Sequence, residues 1–274
     1  MLPTHLALVG LAPELAAGEV ATVAAAIQKQ VTRDFGPIWT VEATVDAFPT
    51  LADVPLGYWP IMIVDTFENG GQHRDRDNQP YALVAYGSSW SLVASHEALE
   101  MLADPSGDRM IPGESPDPAQ GRVEFLVEVC DPCQGDAFAY TVNGILVSDF
   151  YTPNYFDPVA SAGVRYGFSG SITAPRQVLD GGYLSWREPV SQHWFQQHVE
   201  GGQSQITDLG VIEPGMNSLR STIDGRTKGI DRLGKLAADR PALQRARARS
   251  QSGRAGAEAE ARRLEALLRE RHKV

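Results

Sequence analysis

Residues 95–105 read "SHEALEMLADP". At about 3.6 residues per turn, His96 and Glu100 project about 40° apart on one helix face, and Glu97 emerges about 100° from His96. His96 and Glu100 can therefore reach one cation, with the Glu97 carboxylate beside it. Leu92, Leu99 and Leu102 line one side of the same helix, and Trp90, Val93 and Met101 widen its apolar surface. A helix this apolar would bury unpaired charges unless they coordinate something. Its ends are legible as well. Ser88 or Ser89 can cap the N-terminus, and Asp104-Pro105 stops the helix near Ala103, because a residue before proline is pushed out of helical geometry.

The pattern is that of the His-Glu-x-x-His zinc motif, in which two helix residues hold the metal and the intervening Glu is general base to the water that the metal activates. Here Glu100 stands in place of the second histidine. One imidazole and two carboxylates cancel the charge of a divalent ion. Zinc stays the first choice, and manganese or calcium gains ground because carboxylate oxygen suits harder cations. For the third ligand, Asp104 lies about 80° round the helix from His96, at the helix end. Asp131 and Glu128, near the end of the next strand, compete for that place.

Outward from the motif, the apolar patterning predicts strands at 5–10, 39–48, 58–67 and 80–87 and an amphipathic helix over 13–34. "ENGGQHRDRDNQ" reads as a polar loop that includes His73. After the motif helix, residues 106–121 read as a loop and 122–129 as a strand. A hairpin follows around Asn143-Gly144, the strongest short turn signal in the chain, and a second hairpin is expected within 177–190. Beyond Pro214, Met216, Leu219, Ile223, Ile230 and Leu233 fall near heptad positions, with Gly225, Gly229 and Gly234 weakening the helix. "RARARSQSGRAGAEAEARR" is low in complexity and reads as mobile.

The order strand-helix-strand-strand-strand-helix, with "SHEALEMLADP" on the second helix, resembles the N-terminal subdomain of the zincin metallopeptidases. "SHEALEMLADP", "EVCDPC" and "GILVSDFYTPNYF" together resemble a set of uncharacterised bacterial zincin-like proteins with a Ser-His-Glu-x-x-Glu-x-x-x-Asp-Pro signature, over roughly residues 1–190. The resemblance implies that His96 and Glu100 are metal ligands and Glu97 the general base. It also implies that "PYALVAYG" is an edge strand, on which Leu83, Val84 and Ala85 align an extended peptide substrate. Tyr151 and Tyr155 are candidate donors to the oxyanion.

The expected fold is thus α+β: a zincin-like mixed sheet packed with the motif helix over 1–175, a β-rich extension over 176–212, and a helical, basic, partly mobile tail over 213–274. The expected function is metal-dependent hydrolysis of a peptide bond. The alternative is a catalytically inactive zincin-like binding or structural protein whose tail engages a protein partner or a second copy.

Charge and composition narrow the classes further. The net charge of −10 conceals 15 Lys+Arg against 7 Asp+Glu in residues 216–274, and 9 against 27 in the rest. So acidic a body argues against nucleic-acid binding, and the basic tail suits an acidic partner or the body itself. No 18-residue apolar run or secretory leader is present, so the chain reads as cytoplasmic, without a transmembrane segment. Phosphate-loop, nucleophile-elbow and dinucleotide motifs are absent. Cys130 and Cys133 do not make a zinc-deaminase site with His96, because Glu97 is adjacent to His96 and Val129 replaces the proline of that motif. They read as reduced thiols at a turn or a local redox pair, with a separate metal site as the alternative. His5, His73, His193, His198 and His272 read as packing or surface residues, His193 or His198 being able to supply a missing ligand if the C-terminal hairpin folds over the cleft.

Overall fold

The computed structural model describes residues 2–66, 70–76, 79–213, 219–227 and 240–271. Its combination of helices with a mixed and an antiparallel sheet makes the fold α+β. Strand β1 (Thr4–Gly10) is buried on both faces through Leu6, Ala7, Leu8 and Val9, as its unbroken apolar run requires. Helix α1 (Ala17–Lys29) turns Val20, Val23, Ala24 and Ile27 inward at helical spacing. It continues through a wider turn at Gln30–Phe35 into the short α2 (Gly36–Trp39). Strands β2 (Ala43–Phe48) and β3 (Tyr58–Val64) then flank β1 in parallel register.

The sequence reading misses one of the next two strands and misplaces the other within the sheet. "GQHRDR", expected to be loop, forms β4 (Gly71–Arg76), and "QPYALVA" forms β5 (Gln79–Ala85). The sheet order is β2-β1-β3-β5-β4, with β5 parallel to β3 and β4 antiparallel to β5. Strand β5 is therefore interior, and the outer strand is β4. Hydrophobic periodicity could not reveal β4, because it has no apolar side chain; its partner β5 draws it into the sheet.

Helix α3 (Trp90–Ala103) carries the motif and is buried almost all round. Ser89 sits at its N-cap without a side-chain capping hydrogen bond, contrary to expectation. Trp90 Nε1 instead ties this end to α1 by donating to Glu19 Oε1 at 2.7 Å. The other end closes as foreseen, with Asp104 leaving helical geometry ahead of Pro105.

The second sheet begins with β6 (Met110–Glu114), read as loop because Pro112 and Gly113 interrupt it; both are tolerated on an outer strand. It pairs with β7 (Arg122–Leu126). The hairpin of β8 (Tyr140–Val142) and β9 (Ile145–Val147) turns at Asn143-Gly144 as expected, both residues having positive φ, 52° and 83°. Strands β10 (Tyr183–Arg187), β11 (His193–Glu200) and β12 (Gln203–Val211) complete the order β12-β11-β10-β7-β6. The second hairpin thus turns at 188–192, later than expected. Because β10 pairs with β7, the residues read as an extension after 175 continue the sheet that β6 and β7 begin.

The C-terminal residues form α4 (Leu219–Arg226) and α5 (Arg240–Arg271). Of the heptad positions, Leu219 and Ile223 lie on α4, whereas Met216, Ile230 and Leu233, like Gly229, Gly234 and His272, fall outside the described residues. The low-complexity stretch is helical and docked rather than loose. Gly253 lies so close to Phe168 that a Cβ there would stand 2.5 Å from its ring, and Arg249 Nε donates to Ala139 O at 2.7 Å. Among the described residues no helix is long and apolar enough to cross a membrane.

Candidate metal centre

Three elements bring the candidate residues together. Helix α3 supplies His96, Glu97 and Glu100, and Ser95 fixes its rotation by accepting the Ser148 N–H at 2.7 Å. The segment after β7 supplies Glu128 and Asp131, the latter in a tight turn at Asp131–Cys133. The third element is β4, which delivers His73. Gly71, on the same face of that strand, permits the approach: a Cβ there would stand 2.2 Å from Val93 Cγ1 and 2.6 Å from Glu97 Oε1.

His96 Nε2 lies 3.2 Å from both Glu100 Oε1 and Asp131 Oδ1. Bonds of ~2.0–2.2 Å to a tetrahedral ion place neighbouring ligand atoms about 3.3–3.6 Å apart, so each of these two pairs has close to the spacing of neighbouring ligands. His73 Nδ1 stands 3.6 Å from Glu97 Oε2 and from Glu100 Oε2. Ligand atoms converge within 4.8 Å in three sets: His96 with Glu100 and Cys130, His73 with Glu97 and Glu100, and Glu100 with Glu128 and Asp131. Glu100 belongs to all three. These buried clusters can bind a metal ion.

Every one of these side chains is nearly sealed, from 0% exposed at Glu100 to 5% at Glu128. Both ring nitrogens of His73, Nδ1 of His96, Oε2 of Glu97, Oε1 of Glu128 and both oxygens of Asp131 are buried without a hydrogen-bond partner. Native folds leave few such atoms unpaired, at about 1–3 kcal/mol each, and here they are concentrated in one place. Arg220 of α4 reaches in from the C-terminal segment. It donates to Glu100 Oε2 at 2.9 Å and to Glu128 Oε2, and lies 3.5 Å from Asp131 Oδ2.

With one guanidinium among several carboxylates, protons must supply the remaining positive charge when no cation is bound. Burial alone would lower His73, but attraction by Glu100 and Glu97 outweighs it and raises the imidazole to about 9. His96 is likewise carried well above its ordinary value by Glu100 and Asp131 against the opposing effect of burial. Burial favours protonated Glu100, yet His96 and Arg220 hold its carboxyl well below the usual range. Burial pushes Asp131 up to about 6 and Glu128 well above its ordinary value, despite Arg220.

No protein-family model, curated protein or solved structure matches this chain.

The sequence candidates divide accordingly. His96, Glu97, Glu100 and Asp131 come together, with Glu128 beside them. Asp104 does not join them: its carboxylate accepts the Arg109 N–H at 2.8 Å across the helix end, a local turn role. The edge-strand assignment of Leu83, Val84 and Ala85 is corrected by the interior position of β5, on which Val84 is fully buried. Tyr155 spends its hydroxyl on Gln177 O at 3.1 Å, whereas the buried Tyr151 hydroxyl, in the field of Glu128 and Glu100, has no hydrogen-bond partner. Burial pushes the Cys130 and Cys133 thiols well above their ordinary value, and Cys130 stands with His96 and Glu100 in one of the three clusters.

His73 and Arg220 escaped the sequence reading. A histidine in a wholly polar stretch carries no periodic signal of burial. Arg220 left one trace, the i,i+4 spacing to Asp224 that here forms a 2.9 Å ion pair.

Proposed function

We propose that this chain is a metal-dependent hydrolase of peptide bonds, built on a zincin-like scaffold. The observation that carries the reading is the placement of Glu100 Oε1 and Asp131 Oδ1 at 3.2 Å from His96 Nε2, beside buried atoms of His73, Glu97, Glu128 and Asp131 that lack a hydrogen-bond partner; Glu100 Oε1 also accepts the Cys130 N–H at 3.2 Å. His96, Glu100 and Asp131 would hold the ion, and His73, which groups with Glu97 and Glu100, would offer a further imidazole from β4. The donor set suits zinc, with manganese or calcium favoured as more carboxylates engage. A bound divalent cation would act as a Lewis acid, polarising the scissile carbonyl and making water acidic enough to attack at neutral pH.

Glu97 then takes the proton of the attacking water and passes it to the leaving amine. Its Oε2, buried without a hydrogen-bond partner and facing His73, is free for that exchange. The outer strand β4 takes the substrate-aligning place first assigned to β5, since only an unpaired edge can add an extended peptide. Tyr151 has a free hydroxyl to offer the developing oxyanion.

The closure of the centre favours a second reading, in which the ion is structural and nothing is hydrolysed. With side chains at most 5% exposed, a peptide gains access only when the cover parts. Metal content and peptide-library hydrolysis of the full chain decide between the two. His96→Ala and Glu100→Ala are expected to lose the ion. Glu97→Gln is expected to keep it and to lose turnover by about 10²–10⁴-fold. Hydrolysis by none of these proteins, with one ion still bound to wild type, would leave the structural reading. Failure of wild type to take up zinc, manganese or calcium would sink both.

A further inference from the structure

We infer that Arg220 is a positioning residue of the metal centre, hydrogen-bonding the outer oxygen of Glu100 and lying beside that of Asp131, so that their inner oxygens face the ion. This rests on the metal reading above. The division of oxygens supports it. Arg220 Nη1 donates to Glu100 Oε2 at 2.9 Å and lies 3.5 Å from Asp131 Oδ2. Oε1 and Oδ1 of the same carboxylates are the atoms 3.2 Å from His96 Nε2. The terminal torsion of a carboxylate is soft, so a fixed cation on one oxygen sets where the other points. An outer partner of this kind orients metal ligands and tunes their basicity.

The guanidinium is itself held from several sides. Its Nε donates to Asp224 Oδ2 at 2.9 Å, one turn along α4, and Nη2 donates to the Tyr183 hydroxyl at 3.2 Å. Gln72 of β4 donates to the same Asp224 oxygen at 2.8 Å, linking α4 to the strand that carries His73. The Arg220 N–H donates to Gly107 O at 3.1 Å. Ile223, 1% exposed, packs with Leu126, Trp194 and Ile212 of the second sheet. Apolar contacts independent of charge therefore seat α4, and the C-terminal segment completes the centre instead of plugging it.

Affinity for zinc, by chelator competition, and the visible absorption of the cobalt(II) form test this on full-length wild type, Arg220→Gln and Arg220→Lys. The expected result is one ion in wild type, about 10–100-fold weaker binding in Arg220→Gln, and a displaced cobalt spectrum. Arg220→Lys keeps the charge without the planar fork, and is expected to bind nearer wild type while its spectrum stays displaced. A purely structural arginine would lower the melting temperature without moving the spectrum. Equal or tighter binding by Arg220→Gln, with an unchanged spectrum, overturns the inference alone. Should Arg220→Gln not fold, Arg220→Lys decides by its spectrum. Absence of any ion in wild type overturns the metal reading, and this inference with it.

Discussion

At the scale of single residues, a histidine without hydrogen-bond partners is the most informative feature of the site. Neither ring nitrogen of His73 has one, although the side chain is 1% exposed and 3.6 Å from two carboxylates, beyond hydrogen-bond range. A structural histidine in a core is ordinarily anchored through at least one nitrogen. His73→Ala is therefore expected to weaken zinc binding by tenfold or more, and His73→Gln to recover little of it, because an amide nitrogen is no ligand. Isothermal titration with zinc checks this, and wild-type affinity in His73→Ala would remove His73 from the ligand set. Glu100 illustrates the reverse. The sequence named it as a candidate ligand, but only the geometry made it the residue common to three ligand groups.

At the scale of elements, close approach decides which glycines matter. On α5, a Cβ at Gly253 would stand 2.5 Å from the Phe168 ring, so the helix docks only where a side chain is missing. Gly253→Leu is expected to cost about 1–3 kcal/mol by overpacking and to expose α5 to protease. Gly18, on the exposed side of α1, has nothing within 4 Å of a built Cβ. Gly18→Ala is accordingly expected to stabilise by about 0.5–1 kcal/mol, since alanine costs less backbone entropy in a helix. Urea unfolding of both variants is the measurement; a destabilised Gly18→Ala or a neutral Gly253→Leu would contradict the packing described. The same scale explains the misread strands. β4 has no apolar side chain and β6 is broken by Pro112 and Gly113, so pairing with β5 and β7, rather than their own composition, makes them strands.

At the scale of the whole molecule, pH reaches the fold through a second buried carboxyl. Asp149 accepts the Ser169 N–H at 3.0 Å and the Ser169 hydroxyl at 2.5 Å. Burial nonetheless raises it from 3.8 to about 6, against the pull of these bonds and of Arg249. Between those values Asp149 holds a proton in the folded chain that it has released in the unfolded chain, so its contribution to stability falls as pH rises from about 4 to about 6 and stays lowered above. Asn at this position cannot ionise. The stability of Asp149→Asn relative to wild type is expected to grow across that window and then level off, and a difference independent of pH would refute the assignment. The sequence by itself determined the α+β class, the motif helix with its end at Pro105 and the Asn143-Gly144 hairpin, and it named His96, Glu97, Glu100 and Asp131 among its site candidates. These follow from periodicity, turn chemistry and helix geometry, all short in range. Only the tertiary structure decided that β4 is the outer strand, that β6, β7 and β10–β12 form one sheet, and that His73 and Arg220 meet the motif across 24 and 120 residues of chain, at Glu97 and Glu100. Such meetings arise from pairing and packing between distant segments, whose partners no local pattern specifies.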